Sequence, residues 1–156
     1  MWFRLVNDPF KPEDFFVSTD KSKLDLEVIH SFLTNAYWCA GISKEKIARA
    51  IEHSLCFGVY RRTEDGDRQV GFARVITDRT TFAYLADVFI LEEFRGIGLS
   101  QKLMQTIMPH PDLQGLRRWS LATRDAHELY KKFGFTPVKM PDRMMEILNP
   151  DVYKKK

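Results

Sequence analysis

Arg95-Gly96-Ile97-Gly98-Leu99-Ser100 stands between an apolar run, Phe82-Ala83-Tyr84-Leu85-Ala86-Asp87-Val88-Phe89-Ile90, and a second run carrying Leu99, Leu103, Met104 and Ile107 before Pro109. The first has the length and composition of a buried strand. The second repeats its apolar positions at helical spacing until proline ends it, so the junction reads as strand, glycine turn, helix. Two glycines let the backbone come close to a ligand, and the helix start behind them offers unpaired N–H donors and a partial positive charge. Arg95 adds a fixed cation. Such a unit is built to hold an anion, most naturally a phosphate.

The spacing separates this loop from other phosphate loops. A nucleoside-triphosphate loop needs a lysine directly after its last glycine, and none follows Gly98. A dinucleotide loop needs a third glycine where Gln101 stands. What is left is [QR]-x-x-G-x-[GA] after a strand, which resembles the pyrophosphate loop of the GNAT-superfamily acetyltransferases. Arg95 and Gly98 fit, and Ser100 takes the place of the usual glycine or alanine. A second segment resembles the family's N-x-x-A-x-x-L-Y-x-K-x-G-F pattern: Ala126, Leu129, Tyr130, Lys132, Gly134 and Phe135 match, with Thr123 where asparagine is usual. Together the two segments extend the resemblance over roughly residues 69–135.

The resemblance implies a single α/β domain of the GNAT fold, with a mixed, mostly antiparallel sheet of about six to seven strands and about four helices. Its central strands splay apart at the cofactor site. It also implies acetyl-CoA as cosubstrate, with no metal, and transfer of the acetyl group to a primary amine by direct attack in a ternary complex. The pantetheine arm would pair with the backbone near Phe89 and Ile90. The pyrophosphate would lie on Arg95, Gly96, Ile97, Gly98, Leu99 and Ser100, with Lys132 also on the cofactor side. Tyr130 would protonate the departing thiolate, since a phenol and an alkyl thiol differ by about two pKa units. Two other readings stay open: a non-catalytic acyl-CoA sensor of the same fold, and an interaction module in which the glycine turn is incidental.

The base is less determined. Asp87 is the one charged residue in its nine-residue apolar run, and an unpaired carboxylate buried there would be costly. It either faces the cleft, as base or substrate anchor, or pairs with a cation such as Arg74. Glu52, His53 and water are further candidates. Tyr37, Trp38 and Tyr84 either line an acceptor pocket or belong to the core. No acidic or basic cluster singles out an acceptor, so a small-molecule amine and a protein amino group both remain.

The rest of the chain reads as alternating elements without repeats. An irregular start (residues 1–12) leads to an edge strand at 14–18. A helix capped by Ser22 carries Leu26, Ile29, Leu33 and Tyr37, and Gly41 breaks it; a second, capped by Ser43, carries Ile47, Ala50 and Ile51. Strands at 55–61 and 69–77 flank the turn Glu64-Asp65-Gly66-Asp67, and Asp78-Arg79 turns into the apolar run. After the loop helix come a strand at 118–122, a helix at 126–133 ended by Gly134, and strands near 136–138 and 144–148.

Composition agrees with one domain. The 156 residues are 44% hydrophobic and 29% charged, ordinary proportions for a globular chain large enough to bury a core. A net charge of +3 with scattered basic residues gives no reason to expect nucleic acid, and Lys154-Lys155-Lys156 reads as a solvated end. No run has the length of a membrane span or the pattern of a signal peptide. Cys39 and Cys56 read as reduced thiols of a cytoplasmic protein, and the four histidines show no metal-ligand spacing. A monomer or homodimer is expected.

Overall fold

Strong alternation through the middle of the chain produces a meander whose neighbours in sequence are neighbours in space. The computed structural model describes residues 10–154. Its five strands are β1 (Phe15–Ser18), β2 (Leu55–Thr63), β3 (Gly66–Thr77), β4 (Phe82–Ile90) and β5 (Arg118–Leu121), and they lie side by side in that order. The first three pairings are antiparallel, and only β4 with β5 is parallel. Two residues join β2 to β3, where the Thr63 hydroxyl donates to the Gly66 carbonyl. Between β3 and β4 the Asp78 carboxylate accepts from the amides of Thr80, Thr81 and Phe82 and from the Thr81 hydroxyl, which holds it well below the usual carboxylate range. That turn places Arg79 at φ 66°.

Four helices cover the two faces. Helix α1 (Leu26–Leu33) is capped by Asp25, which accepts from the amides of Glu27 and Val28. Ser22 does not serve as that cap: it lies in a short 3-10 turn whose own cap is Asp20. Because α1 ends at Leu33, Tyr37 falls beyond it in the connection. Ser43 caps α2 (Lys44–Glu52) as its position predicts, and a Lys44–Glu27 ion pair ties the two helices. On the opposite face lie α3 (Leu99–Ile107) and the short α4 (His127–Lys131). The α3 face buries Phe57, Val59, Val75 and Leu85 against Leu103 and Ile107. The other face buries Phe72 and Phe89 beneath Ile29 and Leu33, with Phe32 stacked on Phe89 at 4.1 Å between centroids. Each such side chain contributes about 1.5–3 kcal/mol.

The strands expected near 136–138 and 144–148 do not form, so the sheet has five strands rather than six or seven. Pro137, Pro141 and Pro150 withhold amide donors, and no other strand among the described residues runs alongside. Of the start expected to be irregular, only residues 10–12 are described. Phe10 packs on the core and Pro12 opens a 3-10 turn, Pro12–Asp14. In the lysine tail Lys154 pairs with Asp151, and its two successors lie outside the described residues. No helix among the described residues is long and apolar enough to cross a membrane.

Gly71 allows β2, β3 and β4 to close on one another. A methyl group there would lie 2.6 Å from Ile90 Cδ1 and 3.0 Å from the Phe89 carbonyl oxygen. Gly71→Ala is therefore expected to cost about 1–3 kcal/mol through overpacking, measured as a lower urea midpoint at unchanged slope.

Candidate active site

The parallel ladder between β4 and β5 is short. It runs from Phe82 opposite Arg118 to Leu85 opposite Leu121, and beyond that point β4 continues alone to Ile90. On its other side β4 stays paired with β3, but the register slips: Phe72 faces Phe89 whereas Arg74 faces Ala86, so Asp87 and Val88 together oppose Ala73. This bulge sets the phase of the last residues of the strand. The Leu91 amide donates to the Val70 carbonyl. Antiparallel alternation then turns Phe89 toward β3 and sends the amides of Val88 and Ile90 to the side that β5 has left. Of the two residues expected to pair with a cosubstrate, Ile90 has its N–H on the open side. Val88 joins it, and only the bulge reveals that.

The glycine turn lies just beyond. Gly96 and Gly98 sit at φ 84° and 86°, a region that other residues enter only at a cost. A Cβ at either position would meet nothing within 4 Å, so the loop faces open space. Gly98 is the N-cap of α3, no side chain caps that helix, and its first amides point outward. Ile97 and Ser100 are half-buried, while Leu99 is buried as the first apolar anchor of α3. Arg95 is held in place: its Nε donates to the Ile90 carbonyl at 2.8 Å, which leaves the terminal nitrogens of the guanidinium for an anion.

Asp87 itself takes φ 54°, the left-handed region in the middle of a strand. One carboxylate oxygen accepts from Arg74 Nε at 2.8 Å and the other from Trp38 Nε1 at 3.0 Å. Arg74 also donates to the Ser54 hydroxyl at 3.2 Å. Of the two sequence alternatives the pairing with Arg74 is realised, and the pair is largely shielded, with side chains 18% and 13% exposed. Trp38 and Tyr37 themselves are exposed, and Arg124 lies 3.9 Å over the Tyr37 ring.

Beside Arg74 a trough of about 430 Å³ runs between α2 and β3. Lys46, Arg49, Ala50 and His53 line it from α2, at the three- and four-residue spacing of one helix face. Ser54, Arg74 and Ile76 complete it, and no carboxylate is among the lining residues. This basic cluster was invisible as a run in the sequence; helical spacing plus one strand residue creates it. His53 belongs to the trough, whereas Glu52 does not.

Tyr130 is buried on α4, its ring 6.0 Å from that of Phe135. Its hydroxyl makes no hydrogen bond among the described residues and is not among their fully enclosed unpartnered atoms. Burial, with Asp125 nearby, raises the phenol above its ordinary value. Thr123 accepts from the Ala126 amide at 3.0 Å, just ahead of α4, whose N-cap is Ala126 without a side-chain cap. Lys132 is exposed at the end of α4 and in no ion pair among the described residues. Burial pushes the Cys39 thiol up to about 12 and the Cys56 thiol up to about 11.

Comparison with known proteins identifies the family. The model of the acetyltransferase (GNAT) domain matches residues 52–137. A crystal structure from Xanthomonas campestris pv. campestris, of a protein provisionally described as a GNAT-family acetyltransferase, is 52% identical; it covers 90% of this chain and 97% of its own, with a TM-score of 0.85. FG08082 of Gibberella zeae, provisionally named an acetyltransferase, is 33% identical over 76% of this chain and 77% of its own. This chain belongs to the GNAT acetyltransferase family.

As a GNAT member the protein is an acetyl-CoA-dependent N-acetyltransferase, and its residues fit that cosubstrate. The outward amides at the start of α3, the empty space over Gly96 and Gly98, and the free edge of β4 are what a pyrophosphate and an amide-bearing arm require. A GNAT-fold neighbour, Rv2747 of Mycobacterium tuberculosis, was crystallised with CoA; it is 18% identical, with a TM-score of 0.63, over 80% of this chain and 73% of its own.

Substitutions at two positions test this arrangement. Gly98→Ala is expected to cost about 1 kcal/mol through its φ alone, yet to remove the stabilisation of about 2.7 kcal/mol that CoA gives at a hundred times its Kd. Undiminished stabilisation by CoA in a thermal melt would place the pyrophosphate elsewhere. Asp87→Asn leaves a residue that tolerates positive φ and is expected to cost about 1.5–3 kcal/mol from the lost charged bonds. Asp87→Ala adds about 1–2 kcal/mol of backbone strain. Equal urea midpoints for the two variants would show that the backbone angle carries no cost.

Proposed function

We propose that this enzyme transfers the acetyl group of acetyl-CoA to a primary amine by direct attack within a ternary complex. The observation that carries this reading is the free edge of β4 between the glycine loop and the Asp87 cluster, where a thioester and an amine can meet from opposite sides of the sheet. Acetyl-CoA supplies the activated carbonyl. Arg95 and the backbone of residues 96–100 hold its pyrophosphate, with Lys132 a further cation on that side. The amides of Val88 and Ile90 pair with the pantetheine arm and polarise the carbonyl oxygen. Direct attack is favoured over a covalent acetyl-enzyme on cysteine, because both thiols are buried and stay protonated near neutral pH. No observation among the described residues favours a non-catalytic sensor.

Tyr130 serves as the acid for the departing thiolate. Its raised phenol keeps the proton throughout the neutral range, so it has one to give. Asp87 has an oxygen committed to each of two donors, which suits it to hold the incoming ammonium in line more than to abstract its proton. The proton then leaves to water or to His53, which lines the trough as Glu52 does not. Lys46, Arg49 and His53 beside Arg74 favour an acceptor that carries a carboxylate or phosphate as well as its amine. A small molecule or a segment of an acidic protein meets that description.

Release of free thiol from acetyl-CoA, measured across a panel of amines, tests the reading directly. Amines bearing a carboxylate or phosphate should be the better substrates. Arg49→Glu should raise KM for these by about tenfold or more, as expected for a charge contact of about 1.4 kcal/mol, and leave neutral amines unaffected. Tyr130→Phe should lower turnover by about 10²–10⁴-fold with little change in CoA affinity. Wild-type turnover in that variant would reduce Tyr130 to packing.

A further inference from the structure

We propose that Arg124 is a second anchor for the acceptor. The substrate is then a small amine carrying two oxyanion groups, one held in the basic trough and one on Arg124, with its amine between them at Asp87. This rests on the proposed reaction and its acceptor face, and it narrows the class of acceptor.

After Leu121 the chain leaves β4, and Arg124 lies in the connection between β5 and α4. Its guanidinium reaches across to the α1–α2 connection, where Cζ stands 3.9 Å from the centre of the Tyr37 ring. Tyr37 in turn meets Trp38 edge-on, at 5.2 Å between centroids and 86° between planes. Trp38 donates to Asp87 at 3.0 Å. One run of contacts therefore joins Arg124 to the bulge, from the wall of the opening that faces β4. Both aromatic rings are exposed, so they add little to the core and are available as a platform.

Arg124 is exposed as well, and it has no ion pair or hydrogen bond among the described residues. Asp125, the next residue, lies toward Tyr130 instead. A guanidinium resting on an aromatic face keeps the N–H donors of its own plane, and these fit two oxygens of a carboxylate or phosphate. The ring also restricts the side chain before anything binds, so less rotamer freedom is lost on capture. As a gate the contact is too weak, since an exposed arginine on a ring is worth a factor of about two to five. Its charge toward an anion is the larger effect.

The trough supplies the other cationic surface. No carboxylate lines it, and its Arg74 is bonded to the same Asp87 that Trp38 holds. The order of charges across the acceptor face is thus cation, carboxylate, cation. An ammonium flanked by two anions is its complement. One small molecule supplies all three charges, and no protein surface is required.

The test uses α-amino dicarboxylates of four to seven carbons, the same chains with one carboxylate converted to its amide, and uncharged alkylamines. Phosphorylated amino acids separate phosphate from carboxylate as the second anion. Transfer is read as thiol release, and binding by calorimetry with and without CoA. For wild-type protein kcat/KM should rise about tenfold from the uncharged amine to the monoanion, and again to the best dianion. Arg124→Gln should erase one of these steps and Arg49→Glu the other, with the losses multiplying in the double variant. Arg124→Lys, which keeps the charge without the planar fork, should restore part of the step. Tyr37→Phe should leave it intact and Tyr37→Ala weaken it, while Arg143→Gln, an exposed arginine elsewhere, should change nothing. Equal losses for uncharged and dianionic amines in Arg124→Gln, loss of the same step in both variants, or an acidic peptide used as well as the best dianion would each overturn the assignment. If no amine is acetylated but dicarboxylate binding falls tenfold in Arg124→Gln, the transfer reaction fails and the anchor stands. Transfer that proceeds with binding indifferent to Arg124 overturns the anchor alone.

Discussion

The Asp87 carboxylate, held between the Arg74 guanidinium and the Trp38 indole, is the constraint on which the geometry of the cleft depends. A non-glycine residue at positive φ in a strand costs about 1–3 kcal/mol and persists only when its surroundings over-determine it. Here an ion pair and an indole bond do so, from β3 and from the α1–α2 connection. The strand β4 changes phase as a result: residues before the bulge and after it present opposite parities to the sheet. Without that shift, Phe89 would not reach Phe32 and Phe72 on the helical side, and the Ile90 amide would not face the opening.

The two sides of the opening have different electrostatic characters. On the loop side, backbone amides supply positive potential without side-chain entropy, because two glycines hold them in place. On the acceptor side the potential comes from long side chains on α2, with Arg74 as the link between trough and bulge. An anionic acceptor is thus drawn toward the residue that positions the bulge. Recognition and alignment meet in one guanidinium.

Much of this was legible in the residues. The apolar run, the glycine spacing and Pro109 define β4, the loop and α3 with boundaries that differ by a residue at most. The Ser43 cap also forms as local chemistry dictates, while the turn expected over Glu64-Asp65-Gly66-Asp67 tightens to Glu64-Asp65 because Gly66 and Asp67 pair with Thr63 and Arg62. Asp25 instead of Ser22 caps α1, since both residue types make good caps and only the register of Ile29 and Leu33 against the sheet selects between them. The bulge has no local signal: Asp87 could equally have been a flat-strand residue facing solvent. The basic trough needed α2 and β3 brought together. At 144–148 the apolar composition suits a strand, but no ladder forms there among the described residues.

The parallel seam also orders the way the molecule is put together. β1 to β4 join neighbours in an antiparallel meander, and the β2–β3 and β3–β4 links are tight turns that close after little loss of chain freedom. β5 must instead wait for α3 to cross the sheet, since Phe82 and Arg118 are separated by the whole glycine loop and its helix. The opening that serves the chemistry therefore sits at one of the two non-local joints of the sheet, the other being β1 with β2. There the sheet is held by four parallel pairs, and the tight antiparallel turns of β2, β3 and β4 do not depend on them.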